Sequence, residues 1–457
     1  MARHAVPRSA SFFAASALAL TLTAPAHAVV YGSDDRVDLW QESDPALATL
    51  ASSSTAALIE PWKLRLADDD SVRVVAAPLS AVDTYCASTP FLTEPTAATC
   101  GGVLIDDDLL LTAAHCLSRV PSCRGYYYLF GYAESASASL DALSRSQVYG
   151  CRTLAVSEES APDSDTHVDY AVVQLDRPVA ARWVPAPLCA GLALSAGQPA
   201  VTLGFPSGLP LKLDASTVLD PRAATLDYFA LASDTFQGSS GGGVFDTEGG
   251  LFGIFARGTA DFVDRGACRA VRVVTVPDPA SSESATYAAR AVTALCASGW
   301  PSQRLCGTAP RCGDGVCSAP SEGPDACPAD CAAPVCGDAL CETSEWDDCP
   351  ADCGDGRPAT LPDGWYCEPV WYADGSTCDC DCGAPDPDCD GSGAPRACDS
   401  VGPGGLPFTP AAPAPRAAGA GCALAPGPAG TGGVPLMLAL ALFGLAGSRK
   451  GGRSANP

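Results

Sequence analysis

Two histidines lie beyond the first 28 residues of this 457-residue chain, His115 and His167. His115 stands in Leu-Thr-Ala-Ala-His-Cys, residues 111–116. Further on, Gly-Ser-Ser-Gly-Gly at 238–242 offers a glycine-flanked serine, Ser240. Between them Asp169 opens the apolar run Asp-Tyr-Ala-Val-Val-Gln-Leu. A serine hydroxyl is a weak nucleophile at neutral pH and needs an imidazole to take its proton. The imidazole needs a carboxylate to fix its tautomer and to stabilise its charged form. The three residue types therefore suggest acyl transfer, with Ser240 as nucleophile, His115 as general base and then acid, and Asp169 as orienter. The glycines let the backbone turn sharply, so the amides of Gly238 and Ser240 could form an oxyanion hole. His167, two residues before Asp169, reads as a surface or structural side chain.

The elements that must position these groups are mostly strands. Short apolar, aromatic or β-branched runs occur at 102–105, 109–113, 126–132, 170–175, 200–205, 244–246, 251–256 and 270–276, most of them bounded by turn residues. Many short strands over such a length suggest a sandwich or closed barrels. The stretch that reads as helix, with a serine entry and an alanine-rich body, is 284–297.

Composition divides the chain. Residues 1–28 read as a secretory leader: Arg3, His4 and Arg8 precede an apolar stretch, and Ala26-His27-Ala28 supplies small residues for cleavage. Residues 29–300 are ordinary globular sequence, of which 29–95 is either a removable segment or part of the first barrel. Residues 306–398 are dense in cysteine, 399–433 are a Pro/Ala/Gly linker, and 434–457 form an apolar run with a basic end. Export accounts for 24 cysteines as disulfides before metal ligands. A formal charge of −25 argues against nucleic acid or an anionic membrane as a partner of the folded part. No resident cofactor or metal is required by this chemistry.

The motifs together resemble chymotrypsin-fold, trypsin-like serine peptidases, closest to the bacterial glutamyl-endopeptidase branch. The resemblance runs over most of 29–297, through Val30-Tyr-Gly-Ser-Asp-Asp-Arg36, Cys100-Gly-Gly-Val-Leu-Ile, the His115 and Asp169 segments, Gly204-Phe-Pro-Ser-Gly, the Ser240 loop and Gly253-Ile-Phe-Ala-Arg-Gly258. It implies an all-β fold of two six-stranded antiparallel barrels with a C-terminal helix, followed here by small disulfide-rich modules. It implies a protein or peptide substrate, a Cys100–Cys116 bridge and a Cys86–Cys189 bridge. Cys123 with Cys151, and Cys268 with Cys296 or Cys306, are further pairings to expect. Two departures matter. Ser239 stands where trypsins carry the aspartate that receives a freed amino terminus, and Phe236 replaces a cysteine. For specificity, Asp234 lies where trypsins bind Arg or Lys, with Thr235 and Arg257 as further candidate pocket residues. Phe255 stands where a glutamate-selective histidine would be. Basic, acidic and neutral preferences stay open.

In the cysteine-dense region, Cys312-Gly-Asp-Gly-Val-Cys317 leads to Cys327-Pro-Ala-Asp-Cys331, and Cys336-Gly-Asp-Ala-Leu-Cys341 leads to Cys349-Pro-Ala-Asp-Cys353. Units this small cannot bury a core, so crosslinks must replace it. A third unit carries Trp365, Trp371 and a run of aspartates, Asp379, Asp381, Asp386, Asp388 and Asp390, which could bind calcium or simply be solvated. Cys422, the apolar run and the closing arginines resemble a myxobacterial C-terminal sorting tail, which implies transient membrane contact and processing. The reading as a whole is a secreted or surface-attached serine endopeptidase. The alternatives are an inactive peptidase-fold adhesion protein and an esterase.

Overall fold

The computed structural model describes residues 30–389 except 68–69, 119–122, 137–139, 141–142, 162–163, 190–193, 280–281, 319–321, 339–344, 346–348, 354–360, 363–364, 368 and 374–381. The leader, the linker, the tail with Cys422, and Cys341, Cys378, Cys380, Cys398, Asp379, Asp381 and Asp390 lie outside the described residues.

Two antiparallel sheets carry the site. In the first, neighbours run Val148–Tyr149, Tyr127–Phe130, Thr55–Ile59, Ala98–Leu104, Leu109–Thr112, Asp169–Leu175 and Cys151–Glu159. In the second, they run Pro199–Gly204, Gly243–Phe245, Leu251–Arg257, Glu283–Tyr287, Tyr228–Ala232 and Lys212–Asp220, and this last strand pairs back onto Pro199–Gly204. That pairing closes a six-stranded barrel and removes its free edges. The first sheet curls without a closing pair among the described residues, so the fold is one closed barrel beside a half-barrel. Strands such as Asp169–Leu175 and Thr55–Ile59 are buried at every position, which is why they read as continuous apolar runs without alternation.

The helix begins later than the sequence suggests. Glu283–Tyr287 is a strand and Ala288–Ala297 is the helix. The strand ladders on both sides, to Tyr228–Ala232 and to Leu251–Arg257, and it is buried throughout, so tertiary pairing overrides local propensity. Ala288, Ala291 and Leu295, spaced three and four apart, form the helix's buried face. A second helix, Pro45–Ser54, is started by Asp44, whose carboxylate accepts from the amides of Ala46 (2.8 Å) and Leu47 (3.4 Å). Among the described residues no helix is long and apolar enough to cross a membrane.

Residues 30–38 are woven into the second barrel. Val30–Tyr31 pairs in parallel with Val273–Val274, and Val37–Asp38 pairs with Lys212–Leu213. Lys212, almost wholly buried, places Nζ 2.5 Å from both Asp38 Oδ1 and Glu94 Oε2.

The disulfides correct two expectations, the Cys86–Cys189 bridge and the pairing of Cys268 with Cys296 or Cys306. Cys86 bridges Cys268, and Cys189 is free. The reason is local backbone pairing. The Cys86 amide donates to the Arg269 carbonyl (3.0 Å) and the Arg269 amide to the Thr84 carbonyl (2.8 Å), which brings Cys86 beside Cys268. Cys189 is tied instead to Leu251 and lies 3.8 Å from Asp246 Oδ2. Cys123 bridges Cys151, and Cys296 bridges Cys306. In the repeats Cys312 joins Cys327, Cys317 joins Cys331, and Cys336 joins Cys349. The modules touch the first sheet: Gln174 Nε2 donates to the Cys317 carbonyl (2.8 Å) and the Arg124 guanidinium to the Asp338 carbonyl (2.6 Å). In the third unit Cys367–Cys382 packs on a fully buried Trp365, edge-on to Tyr372 at 5.0 Å.

Candidate active site

His115 lies in a short helical turn, Ala114–Ser118, directly after the strand Leu109–Thr112. Asp169 begins the neighbouring strand, which pairs with Leu109–Thr112 from Ala171 onward. The adjacency of these strands sets the contact between the two side chains. Asp169 Oδ2 is 2.6 Å from His115 Nδ1, and Oδ1 accepts the His115 backbone amide at 3.2 Å. The carboxylate is buried while the ring is 31% exposed. An ionised carboxylate can only accept, so this contact requires the Nδ1–H tautomer and leaves Nε2 as the basic nitrogen.

Thr286, which the sequence did not single out, completes the support. Its hydroxyl accepts the Asp169 amide (2.9 Å) and donates to the His167 carbonyl (3.3 Å). Thr286 comes from the second barrel, so it ties the acid's loop across the interface between barrels. A threonine in a Ser/Ala/Thr run gave no motif to find. His167 is a structural side chain, stacked on Tyr228 with ring centroids 4.4 Å apart.

Ser240 sits in a tight turn. The Ser239 amide donates to Phe236 O (2.9 Å), the Gly241 amide to Phe255 O (2.8 Å) and the Gly242 amide to Ser239 O (2.9 Å). The Gly101 amide, from the first sheet, donates to Ser240 O at 2.7 Å. Gly238 and Gly241 have φ of +100° and +79°, the left-handed region that disfavours a side chain. A Cβ at Gly238 would fall 2.6 Å from Phe205 O, and one at Gly241 2.2 Å from Gly101 O. The spacing of glycines around the serine is thus imposed by contact with both sheets. Among the described residues neither the Gly238 nor the Ser240 amide donates to a protein acceptor. Two free donors flanking a nucleophile are the arrangement that stabilises a developing oxyanion.

The Cys100–Cys116 bridge pins the His115 turn to the strand Ala98–Leu104 and lies against the Ser240 loop. Cys116 Sγ is 3.9 Å from His115 Nε2 and 3.7 Å from Ser240 O. Among the described residues no hydrogen bond joins the Ser240 hydroxyl to the imidazole, a contact that free enzymes of this chemistry often leave loose until substrate arrives.

The expected specificity residues are not gathered around an open carboxylate. Asp234 is buried, and its oxygens accept the backbone amides of Tyr31 (2.8 Å) and Asp35 (3.3 Å). Burial pushes its pKa up to about 6, with Asp35 and Asp34 adding repulsion against the bonds from Tyr31 and Asp35. The Arg257 guanidinium is engaged by the Ser160 carbonyl at 2.7 Å. Thr235 is buried beside another acid, Glu283, whose Oε1 accepts the Thr259 amide at 3.4 Å. Glu283 Oε2 lies where a Cβ on Gly258 would stand. Burial, with Asp261 nearby, holds this carboxyl well above the usual range and so toward its neutral form. Sequence reasoning missed Glu283 because it is a lone acid among small residues.

Residues 100–254 match the family model described as a trypsin-like peptidase domain, so this part of the chain carries a serine-peptidase fold. Solved structures similar to it include the Rv3671c protease in its inactive form, at 16% identity and a TM-score of 0.30 over 56% of this chain and 96% of that one. A serine-to-alanine mutant of Rv3671c from M. tuberculosis H37Rv, also inactive, is similar at 15% identity and a TM-score of 0.31, over 57% and 97%. Mouse neuropsin, a serine protease expressed in the limbic system of the brain, is similar at 18% identity and a TM-score of 0.34, over 54% and 94%. No curated protein matches the chain.

Proposed function

We propose that this chain is an exported serine endopeptidase that cleaves peptide bonds through an acyl-enzyme. The observation that carries this reading is the pair of contacts from Asp169 to His115, 2.6 Å to the ring and 3.2 Å to the backbone, beside a serine whose flanking amides are free among the described residues. In this reading Nε2 of His115 takes the Ser240 proton as Oγ attacks the scissile carbonyl. Asp169 stabilises the imidazolium, and the Gly238 and Ser240 amides hold the oxyanion. The proton then passes to the leaving amine, and water repeats the sequence to release the acid.

The disulfides support an extracellular location. Selection of a basic side chain by Asp234 is not favoured, because both its oxygens are spent on the amino-terminal segment. Thr235 and Glu283 are the better candidates for the pocket, and a carboxyl held toward its neutral form favours an uncharged or hydrogen-bonding side chain. Labelling of the full chain with a fluorophosphonate tests the central claim. The expected result is one adduct, at Ser240, absent in Ser240→Ala, together with casein cleavage lost in the same variant. No adduct on folded parent protein would refute the hydrolase and favour the adhesion protein.

A further inference from the structure

The repeated units have no role in the peptidase reading, yet they hold an unusual charge balance. From Cys312 to Cys353 there are ten Asp and Glu residues and no Lys, Arg or His. The acids are also arranged. In the first unit Asp314, Glu322 and Asp330 each bring one oxygen within 4.8 Å of the others. Asp330 closes the unit from its Cys-Pro-Ala-Asp-Cys end: its carboxylate accepts the amides of Gly313, Asp314 (3.2 Å) and Gly315 (3.0 Å). Asp314 accepts the amides of Val316 (3.1 Å) and Arg311 (2.9 Å).

Glu322 differs from these two. It is 6% exposed, and its Oε2 accepts the Ser318 amide at 3.1 Å. Its Oε1 is buried and has no hydrogen-bond partner among the described residues. A buried carboxylate oxygen without a donor, beside two further carboxylates, is costly unless a cation completes the group.

The sequence pattern recurs, but among the described residues only the first unit gathers its three carboxylates. The second unit places Asp338 and Asp352 at the positions of Asp314 and Asp330, and Glu345 between the corresponding cysteines, again 6% exposed. The cysteine sulfurs of the first unit are consumed by Cys312–Cys327 and Cys317–Cys331, which removes thiolate ligation of a soft metal. What remains is an all-oxygen set, suited to a hard divalent ion that accepts flexible geometry and water as further ligands.

We propose that the first repeated unit binds one calcium-class divalent cation, through Asp314, Glu322 and Asp330. The ion replaces part of the missing hydrophobic core and stiffens the unit where Cys317 meets Gln174 of the first sheet. The proposal does not depend on the catalytic reading.

Calorimetric titration of the chelator-stripped full chain with Ca²⁺ tests it. One equivalent is expected to bind, with a dissociation constant of about 0.1–1 mM, the range of extracellular modules. An equal concentration of Mg²⁺ should not displace it. Glu322→Gln should remove it, whereas Glu345→Gln should leave it in place. Because a buried substitution can impair folding, the exposed Asp314→Asn should also remove one equivalent while the disulfide map is unchanged. No saturable binding up to about 10 mM, tenfold beyond that range, would overturn the proposal. So would a stoichiometry that none of the substitutions alters.

Discussion

Replacing Asp169 with asparagine probes the central contact most sharply, because both carboxylate oxygens accept from the same residue. Oδ2 faces the ring nitrogen and Oδ1 the backbone amide of His115. An amide side chain offers one acceptor and one donor and cannot serve both. With its oxygen toward the backbone, its NH₂ faces Nδ1, which forces the proton to Nε2 and leaves no base for Ser240. With its oxygen toward Nδ1–H, its NH₂ opposes the His115 amide, a buried donor–donor clash of about 1–3 kcal/mol. The lost charge matters as well. At 2.6 Å and an effective dielectric near 20, a carboxylate stabilises an imidazolium by about 6 kcal/mol. Screening at the 31%-exposed ring lowers this to about 4–6 kcal/mol. At 1.36 kcal/mol per tenfold, kcat should fall by about three to four powers of ten. The assay is kcat on a peptide substrate at neutral pH, with a thermal melt to show that the variant is folded. A folded Asp169→Asn variant within about tenfold of the parent, against the loss expected from tautomer reversal, would refute the assignment of Asp169 as the orienting acid.

Lys212→Met should destabilise the fold by about 3–5 kcal/mol in urea unfolding, since Asp38 and Glu94 would lose the ammonium that lies 2.5 Å from each. A change below about 1 kcal/mol would place that pair in the class of weak surface contacts. Stability should also fall as pH rises. Burial lifts Asp108, Asp234 and Asp261 to about 6, and lifts Asp214 and Glu283 well above the usual range. The native state therefore keeps protons that the unfolded chain releases near pH 4, so their contribution is full below about 4; that of Asp108, Asp234 and Asp261 is lost as pH passes 6, and that of Asp214 and Glu283 as pH rises through their own raised values. Asp227, which burial would raise but the Arg222 fork and Thr225 hydroxyl pull below the usual range, works in the opposite sense and loses its contribution in acid. A melting temperature that rises steadily from pH 5 to pH 7 would contradict the dominance of the raised group.

The chemistry was legible because it sits in short contiguous motifs. His115 and Ser240 each carry neighbours, Cys116 and the flanking glycines, whose types are dictated by the contacts they make. Strands buried throughout, such as Asp169–Leu175, announce themselves by composition alone. What could not be read depends on pairing between distant segments. Glu283–Tyr287 reads as the start of a helix until two neighbouring strands claim its backbone. Cys86 has several cysteines to choose from until the Arg269 carbonyl draws its amide in. Thr286 and Glu283 carry no local signature, since their importance comes from Asp169 and Thr235, which lie far away in sequence.

The same distinction bears on how the nucleophile loop is held. Ser239 offers no carboxylate, so a freed amino terminus has no partner beside Ser240. The nearby acid is Asp234, six residues earlier, and its oxygens take backbone amides from Tyr31 and Asp35. Val30 packs with Phe236, and the Arg36 guanidinium lies 3.8 Å over the Phe236 ring. Residues 30–36 therefore buttress the loop with amide donors and apolar contact. An α-amino group loses its charge near pH 8, whereas backbone amides do not titrate in this range. Support of this kind is tied to the seating of the segment rather than to the charge on its end. Its pH sensitivity comes from Asp234 and Asp214, whose carboxylates repel each other as they ionise, and from Asp261, which accepts the Gln237 amide of the same loop. Asp214 and Asp234 are thus placed where the amino-terminal segment meets the loop that carries Ser240, while Asp108 lies apart at the first sheet, so part of the alkaline loss of stability should arise at that seam.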